Sequence, residues 1–343
     1  MSVFIIAEAG VNHNGSEALA LDLVAEAARC GADAVKFQTF TADRLVRPGA
    51  EKAAYQKAAT GEGDQYSMLK QLEMSPELHH RLMAACLDLG IEFMSTPFDE
   101  DAADFLLASG MRRIKVPSGE ITNWPFLRFL AAKNVPLIIS TGMASLEEVQ
   151  DAVTVVRDTR ERHGFDTPLE NMLCILHCTS NYPASAQDVN LRAMQTISEA
   201  TGMPIGYSDH TLGVAVSPAA VALGAVVVEK HFTLDKSLPG PDHQASLSPQ
   251  ELSQMIDQIR TVEAALGSRV KAPVASELPV RALVRRSVTL AHDVRAGHRL
   301  RPDDLVLLRP GDGIAPGSLH EVPGRVVIRD LQAGTTLSWA DLD

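Results

Sequence analysis

The first 270 residues repeat one rhythm eight times: a short run rich in β-branched residues, then a stretch with amphipathic helical spacing. The runs fall at 3–9, 34–39, 91–95, 113–116, 137–140, 172–178, 204–208 and 226–231. Helical patterns lie between them, for example at 16–30, 75–89, 99–109 and 145–163. Strands alternating with helices build parallel βα units, and eight is the number that closes a (β/α)8 TIM barrel. A doubly wound open sheet is the competitor. It normally carries a Gly-rich phosphate loop after its first strand, where this chain has EAGVNHNG. Ser75 before Pro76, Ser145 before Glu147 and Glu148, and Ser248 before Pro249 read as helix N-caps. The segment 44–70 is long for a βα loop and is expected to form a lid or rim over the barrel mouth.

Beyond residue 270 the texture changes. KAPVASELP reads as an extended, Pro-containing linker, and 271–283 is assigned to it. Residues 284–343 show short strands and turns (RRSVTLAHDV, RAGHRL, LVLLRPGDG), a β-rich module of marginal size for standing alone. Residues 271–343 carry 10 basic and 9 acidic side chains, a net +1, so the chain's −12 is a net −13 on the barrel. Such an acid does not grip a phosphate backbone, which excludes general nucleic-acid binding; an anionic substrate needs a local basic pocket. No apolar run approaches the ~20 residues of a membrane span. The start, MSVFIIAEAG, lacks a basic leader and meets Glu8 early, as expected of a buried strand in a cytoplasmic protein. Four cysteines without a CxxC pair fit reduced thiols, and Cys174 and Cys178 are assigned no chemistry.

Active sites of such barrels lie at the C-terminal ends of the strands. Every run here ends in polar residues, among them Glu8, Lys36, Gln38, Thr96, Lys115, Ser118, Glu120, Ser140, Ser180, Tyr182, Ser208, His210 and His231. Lys36 and Lys115 sit in apolar strand contexts. Taken alone, each could be an edge lysine with a solvated head. With Ser118, Ser140 and Ser208 they suit a phosphate or carboxylate pocket. A Schiff-base lysine is the rival chemistry. His210 and His231, at the ends of adjacent runs, could be hydrogen-bonded core residues or share one divalent ion. Glu8 and Asp209 would then stand nearby to hold a bound water or a ring nitrogen. Asp242, in GPDHQAS, either faces the mouth or shapes its loop. His79 and His80 are expected on a helix, solvated.

The ordered motifs IAEAGVNHNG, VKFQTF, FMSTPFD, KVPSGEITN, ISTGM, HCTSNYP, GYSDHT and EKHFTLDKSLPGPDH resemble the sialic acid synthase family. The tail resembles its C-terminal antifreeze-like (SAF, β-clip) domain, and the resemblance spans the whole chain. It implies a transferase that condenses phosphoenolpyruvate with an N-acylated mannosamine-type sugar. It implies metal ligation by His210 and His231, with Mn2+ first and Mg2+ or Co2+ as alternatives. Phosphoenolpyruvate binding falls to Lys36, Thr96, Lys115, Ser118, Ser140, Ser180 and Ser208; some members carry Asn at the position of Ser180. Glu8, Gln38, Glu120, Tyr182 and Asp242 match positions facing a metal water or the acceptor sugar, with Glu8, Lys36, Lys115 and Glu120 as the catalytic set. Arg309 matches a tail arginine that reaches the partner's site in a domain-swapped homodimer. The expected acceptor is N-acetylmannosamine, giving N-acetylneuraminate. The alternative is 2,4-diacetamido-2,4,6-trideoxymannose, giving legionaminic acid; GPDHQAS looks unlike the pseudaminate branch. Outside the family lie a metal-free Schiff-base aldolase and a carbohydrate- or ice-binding scaffold.

Overall fold

The computed structural model describes residues 2–343, apart from the side chain of Ala58. Two compact units result, one ending at Gly267 and the other spanning Ser268–Asp343.

In the first unit β1 (Phe4–Gly10), α1 (Glu17–Arg29) and β2 (Ala34–Thr39) open the alternation. Three short helices follow, α2 (Ala42–Leu45), α3 (Ala54–Thr60) and α4 (Gln65–Lys70), within the segment expected to form a rim. Then come α5 (Pro76–Leu89), β3 (Glu92–Pro97), α6 (Glu100–Ala108), β4 (Ile114–Val116), α7 (Trp124–Ala131), β5 (Leu137–Ser140) and α8 (Leu146–Arg162). The unit closes with β6 (Leu173–Cys178), α9 (Ala193–Thr201), β7 (Ile205–Asp209), α10 (Val216–Ala222), β8 (Val227–His231) and α11 (Pro249–Leu266). The eight strands are parallel in the order β3-β2-β1-β8-β7-β6-β5-β4, and β3 lies beside β4, so the sheet is a nearly closed TIM-type barrel.

The helices start where the side chains dictate. Ser75 accepts from Leu78 N with Pro76 in the first turn, and Ser145 and Ser248 form capping boxes with Glu148 and Glu251. The main core lies between barrel and helices. A second apolar layer (Ile6, Ala34, Met94, Ile138, Leu176 and Val227) plugs the barrel interior. Among the described residues no helix is long and apolar enough to cross a membrane.

In the second unit α12 (Glu277–Val284) leads into the antiparallel pair β9 (Ser287–Leu290) and β10 (Leu305–Leu308). Isolated bridges such as Val294–Leu331 and Val327–Leu342 extend the β-rich character around a core of its own, with Val288, Leu300, Val322 and Leu337 at its centre. The expected extended linker is therefore only partly extended. Pro279 falls in the first turn of α12, where a missing N–H costs no helical bond, so the proline does not stop the helix.

Candidate active site

Alternation along each strand decides what faces the barrel axis. Two residues above the apolar plug, the same parity brings Glu8, Lys36, Thr96, Lys115, Ser140, Cys178, Ser208 and Glu229 to the mouth. All of them line one cavity of about 500 Å³. Gln38, Ser118, Ser180, Tyr182, His210, His231 and Asp242 line it too. Tyr55, Gln56, Gln65 and Met68 complete it from the 40–72 connection, which thus forms the expected rim. A cleft of similar volume, about 570 Å³, opens beside the start of β3 among Met83, Cys86, Leu87 and Met111, without a comparable polar set.

Four charges are buried together. Lys36 Nζ lies 2.6 Å from Glu8 Oε2 and 3.5 Å from Glu229 Oε2, and donates to Thr96 Oγ1 at 2.9 Å. Lys115 Nζ lies 3.6 Å from Glu229 Oε1, which also accepts from Ser208 Oγ at 2.8 Å. Burial pushes Glu8 above the usual carboxylate range despite Lys36 beside it. For Glu229 the burial cost is outweighed by Lys115 and Lys36, and it stays ionised. Burial lowers Lys115; Lys36 is raised because Glu229 and Glu8 outweigh its own burial. Once Glu8 takes a proton, the remaining set carries one net positive charge at the foot of the cavity, suited to an anion.

The hydroxyls converge beside it. Ser118 Oγ accepts from Gly142 N at 3.0 Å and lies 3.3 Å from Cys178 Sγ, and Ser140 Oγ is buried without a protein partner. A Cβ on Gly142 would clash with Ser180 Oγ and would meet both Cys178 Sγ and Ser118 Oγ at 2.9 Å. Only glycine lets the backbone pass this close to three polar side chains.

His210 and His231 lie with ring centroids 5.5 Å apart. His210 Nδ1 donates to Thr179 O at 2.8 Å, which leaves Nε2 as the bare nitrogen. His231 Nδ1 is buried without a hydrogen-bond partner, 3.9 Å from Asp242 Oδ2. Burial lowers the pKa of both rings, keeping them neutral lone-pair donors. Tyr182 packs over His210 at 4.1 Å and edge-on to His231 at 5.7 Å. Among the described residues no group of three or more His, Cys, Asp and Glu side chains could hold a metal ion. Two imidazoles with an orphaned nitrogen, opening on a cavity, fit a divalent ion whose remaining positions are filled by water or substrate oxygens.

Asp209 does not join them. Its parity is opposite to that of Ser208 and His210, and it faces out of the barrel. There it pairs with Lys230 Nζ at 2.9 Å, and its carboxylate accepts from Thr211 N, Thr211 Oγ1 and Ser217 Oγ. Lys230 Nζ also donates to Thr211 O at 2.6 Å. This fully satisfied buried pair braces the strand ends just behind both histidines. Lys230→Met leaves Asp209 uncompensated and is expected to destabilise folding by about 3–5 kcal/mol, with the Asp209→Leu/Lys230→Met double variant recovering much of the loss. Denaturant unfolding measures both; an unchanged midpoint for Lys230→Met contradicts this account of the pair.

Of the site residues expected from the barrel, Glu120 joins Asp209 in lying outside the cavity. Glu120 follows β4 in a 3-10 turn (Ser118–Glu120), where its carboxylate accepts from Asn123 Nδ2 at 2.7 Å, and it is not among the cavity-lining residues. Arg309 is an exposed residue of the second unit. Asp242 does face the cavity, its pKa raised to about 6 by burial. His79, expected to be solvated, is buried: Nε2 meets Thr39 Oγ1 at 2.8 Å and Nδ1 donates to Ser75 O at 2.8 Å. The residues missed are Glu229, Cys178 and Tyr55. Glu229 was legible, since it shares the parity of His231.

Comparison with known proteins bears on this geometry directly. Residues 23–271 match the NeuB family and residues 285–343 the SAF domain. The chain belongs to the NeuB family. A relative in Legionella pneumophila, an N,N'-diacetyllegionaminic acid synthase, is 54% identical, with 100% of this chain and 95% of the relative aligned. One of the same name in Campylobacter jejuni is 42% identical over 95% of this chain and 96% of its own. Among solved structures, a sialic acid synthetase from Leptospira borgpetersenii is 33% identical with a TM-score of 0.70, covering 82% of this NeuB-family chain and 90% of its own.

Proposed function

We propose that the chain is a transferase that condenses phosphoenolpyruvate with 2,4-diacetamido-2,4,6-trideoxymannose, giving N,N'-diacetyllegionaminic acid and phosphate. The observation that carries this reading is 54% identity along the whole chain to a synthase of that acid. The acceptor therefore shifts from the expected N-acetylmannosamine to the alternative, because the sialic acid synthetase stands at 33%. The cavity agrees. Lys36 and Lys115 are its only lining lysines or arginines among the described residues, and both are paired with carboxylates, so no cation is spare for a sugar phosphate.

In this reading Lys36, Lys115, Thr96, Ser118, Ser140, Ser180 and Ser208 hold the phosphate and carboxylate of phosphoenolpyruvate. Gln38, Tyr182 and Asp242 face the acceptor. C3 of phosphoenolpyruvate forms a bond to the aldehyde carbon of the open-chain sugar, whose oxygen takes a proton and becomes a hydroxyl. Glu8, neutral in the anion-binding state and the cavity carboxyl closest to neutrality, supplies that proton and takes one back from the water that adds at C2. The tetrahedral adduct expels phosphate by C–O cleavage, leaving the 2-keto acid, with Lys36 and Lys115 balancing the charge that leaves. His210 and His231 would hold a divalent ion, Mn2+ first, which supplies Lewis-acid polarisation of the sugar aldehyde. Phosphate release with phosphoenolpyruvate, Mn2+ and each sugar tests the reading; release with none of them overturns it. A covalent lysine adduct on borohydride treatment with pyruvate would establish the aldolase instead.

The reading includes a domain-swapped homodimer with Arg309 completing the partner's site. It is supported by an apolar surface left exposed at the start of the second unit, by Val270, Val274, Leu278, Val280, Leu283 and Val284. The Arg309 guanidinium suits an N-acyl carbonyl. Arg309→Ala is expected to raise the KM of the sugar more than that of phosphoenolpyruvate. Mixing it with His231→Ala should restore activity, since one heterodimer site is then intact. No recovery after demonstrated subunit exchange contradicts the swap.

A further inference from the structure

The 40–72 connection does more than rim the mouth. It is braced from within: buried Lys52 Nζ donates to Thr60 Oγ1, Gly61 O and Glu62 O at 2.9, 3.2 and 3.3 Å. The Asp64 carboxylate accepts from Gly49 N and Ser67 N, both at 2.9 Å, and Gln65 N donates to Ala50 O at 2.9 Å. The connection is thus a preformed panel, and the side chains it gives the cavity carry no charge: Leu45, Val46, Tyr55, Gln56, Met68 and Leu69 are among them. The cavity has two chemical halves. The barrel wall holds the buried charges and hydroxyls, and the panel is apolar with amides. Tyr55 marks the junction, its ring stacked on Tyr182 at 5.2 Å, while Tyr182 packs on His210. Burial and the nearby charge of Asp242 raise the Tyr55 pKa to about 12, so its hydroxyl stays protonated.

We propose that Tyr55 is a specificity-determining residue, presenting its ring with Met68 and Leu69 to apolar substituents of the acceptor sugar. This rests on the functional reading above. A 6-deoxy, 4-acetamido acceptor has a methyl where N-acetylmannosamine has a hydroxymethyl, and an acyl amide in place of its C4 hydroxyl. Those groups gain from an aromatic and thioether surface, while a hydroxyl or phosphate placed there loses its water without a partner.

The test is kcat/KM for 2,4-diacetamido-2,4,6-trideoxymannose and for N-acetylmannosamine, in wild type, Tyr55→Ala and Tyr55→Phe, with the KM of phosphoenolpyruvate measured alongside. Tyr55→Ala should lower the preference ratio about tenfold or more, the scale on which apolar pockets discriminate. The KM of phosphoenolpyruvate should move less than about threefold, because that substrate sits on the barrel wall. Tyr55→Phe, which keeps the ring, should preserve the ratio. If wild type prefers the diacetamido sugar but Tyr55→Ala loses both sugars equally, this inference fails alone. If wild type prefers N-acetylmannosamine, the functional reading fails and takes the inference with it.

Discussion

With alanine in place of Lys115, kcat is expected to fall by about 10²-fold or more, and Lys36→Ala should do the same. Both ammonium groups are buried within ion-pairing distance of Glu229, in a wall with no other lining lysine or arginine among the described residues. The charge they face grows as the phosphate ester becomes free phosphate, so their contribution is larger in the transition state than in the bound complex. That asymmetry places the loss in kcat, beyond any rise in the KM of phosphoenolpyruvate. Packing is separable from charge. Lys115→Met keeps the aliphatic stem, and its melting temperature reports whether the fold has suffered. Near-normal kinetics in both alanine variants would remove the lysines from the mechanism.

Loss of either histidine has a larger expected effect. His210→Ala or His231→Ala removes one of two candidate metal-ligating side chains, and turnover should be abolished while the barrel stays folded. Neither ring is needed for strand pairing, and the buried Asp209–Lys230 pair holds the two strand ends independently of them. Two readouts separate this from a structural defect. Competition with a chromophoric chelator should show Mn2+ affinity lost in each variant, and the metal-free forms should still melt in one cooperative transition, at a temperature lowered by no more than loss of a buried ring and of the His210–Thr179 hydrogen bond accounts for. Full activity in chelator-treated wild type, with no divalent ion added, would contradict the assignment.

Much of the barrel was legible because its strands are short, β-branched and separated by capped helices. Ser75, Ser145 and Ser248 mark helix starts in the sequence and cap them in the structure. The site was legible to the extent that strand parity was applied. His210 and Ser208 share a face, and Asp209 between them must turn away; Glu229 and His231 share a face, and Lys230 turns away to meet Asp209. Counting polar residues at strand ends without that rule placed Asp209 at the site and passed over Glu229. His79 eluded composition for another reason. It lies beside Leu78 on the buried face of α5, and Thr39 of β2 together with the carbonyl of the helix's own N-cap, Ser75, satisfies both its nitrogens. The panel helices α2, α3 and α4 have 4, 7 and 6 residues, too few for a helical period to show. Tyr55 enters the cavity only through that panel's tertiary bracing, which no local pattern encodes.

The central claim is that this cavity joins phosphoenolpyruvate to a diacetamido sugar. It is tested most directly by offering the purified protein, with Mn2+ and phosphoenolpyruvate, equal concentrations of 2,4-diacetamido-2,4,6-trideoxymannose and N-acetylmannosamine, and weighing the products by mass spectrometry. The account predicts N,N'-diacetyllegionaminic acid as the dominant product, with one phosphate released per molecule formed. Predominant N-acetylneuraminate, or phosphate released with pyruvate and no nine-carbon acid, would contradict it.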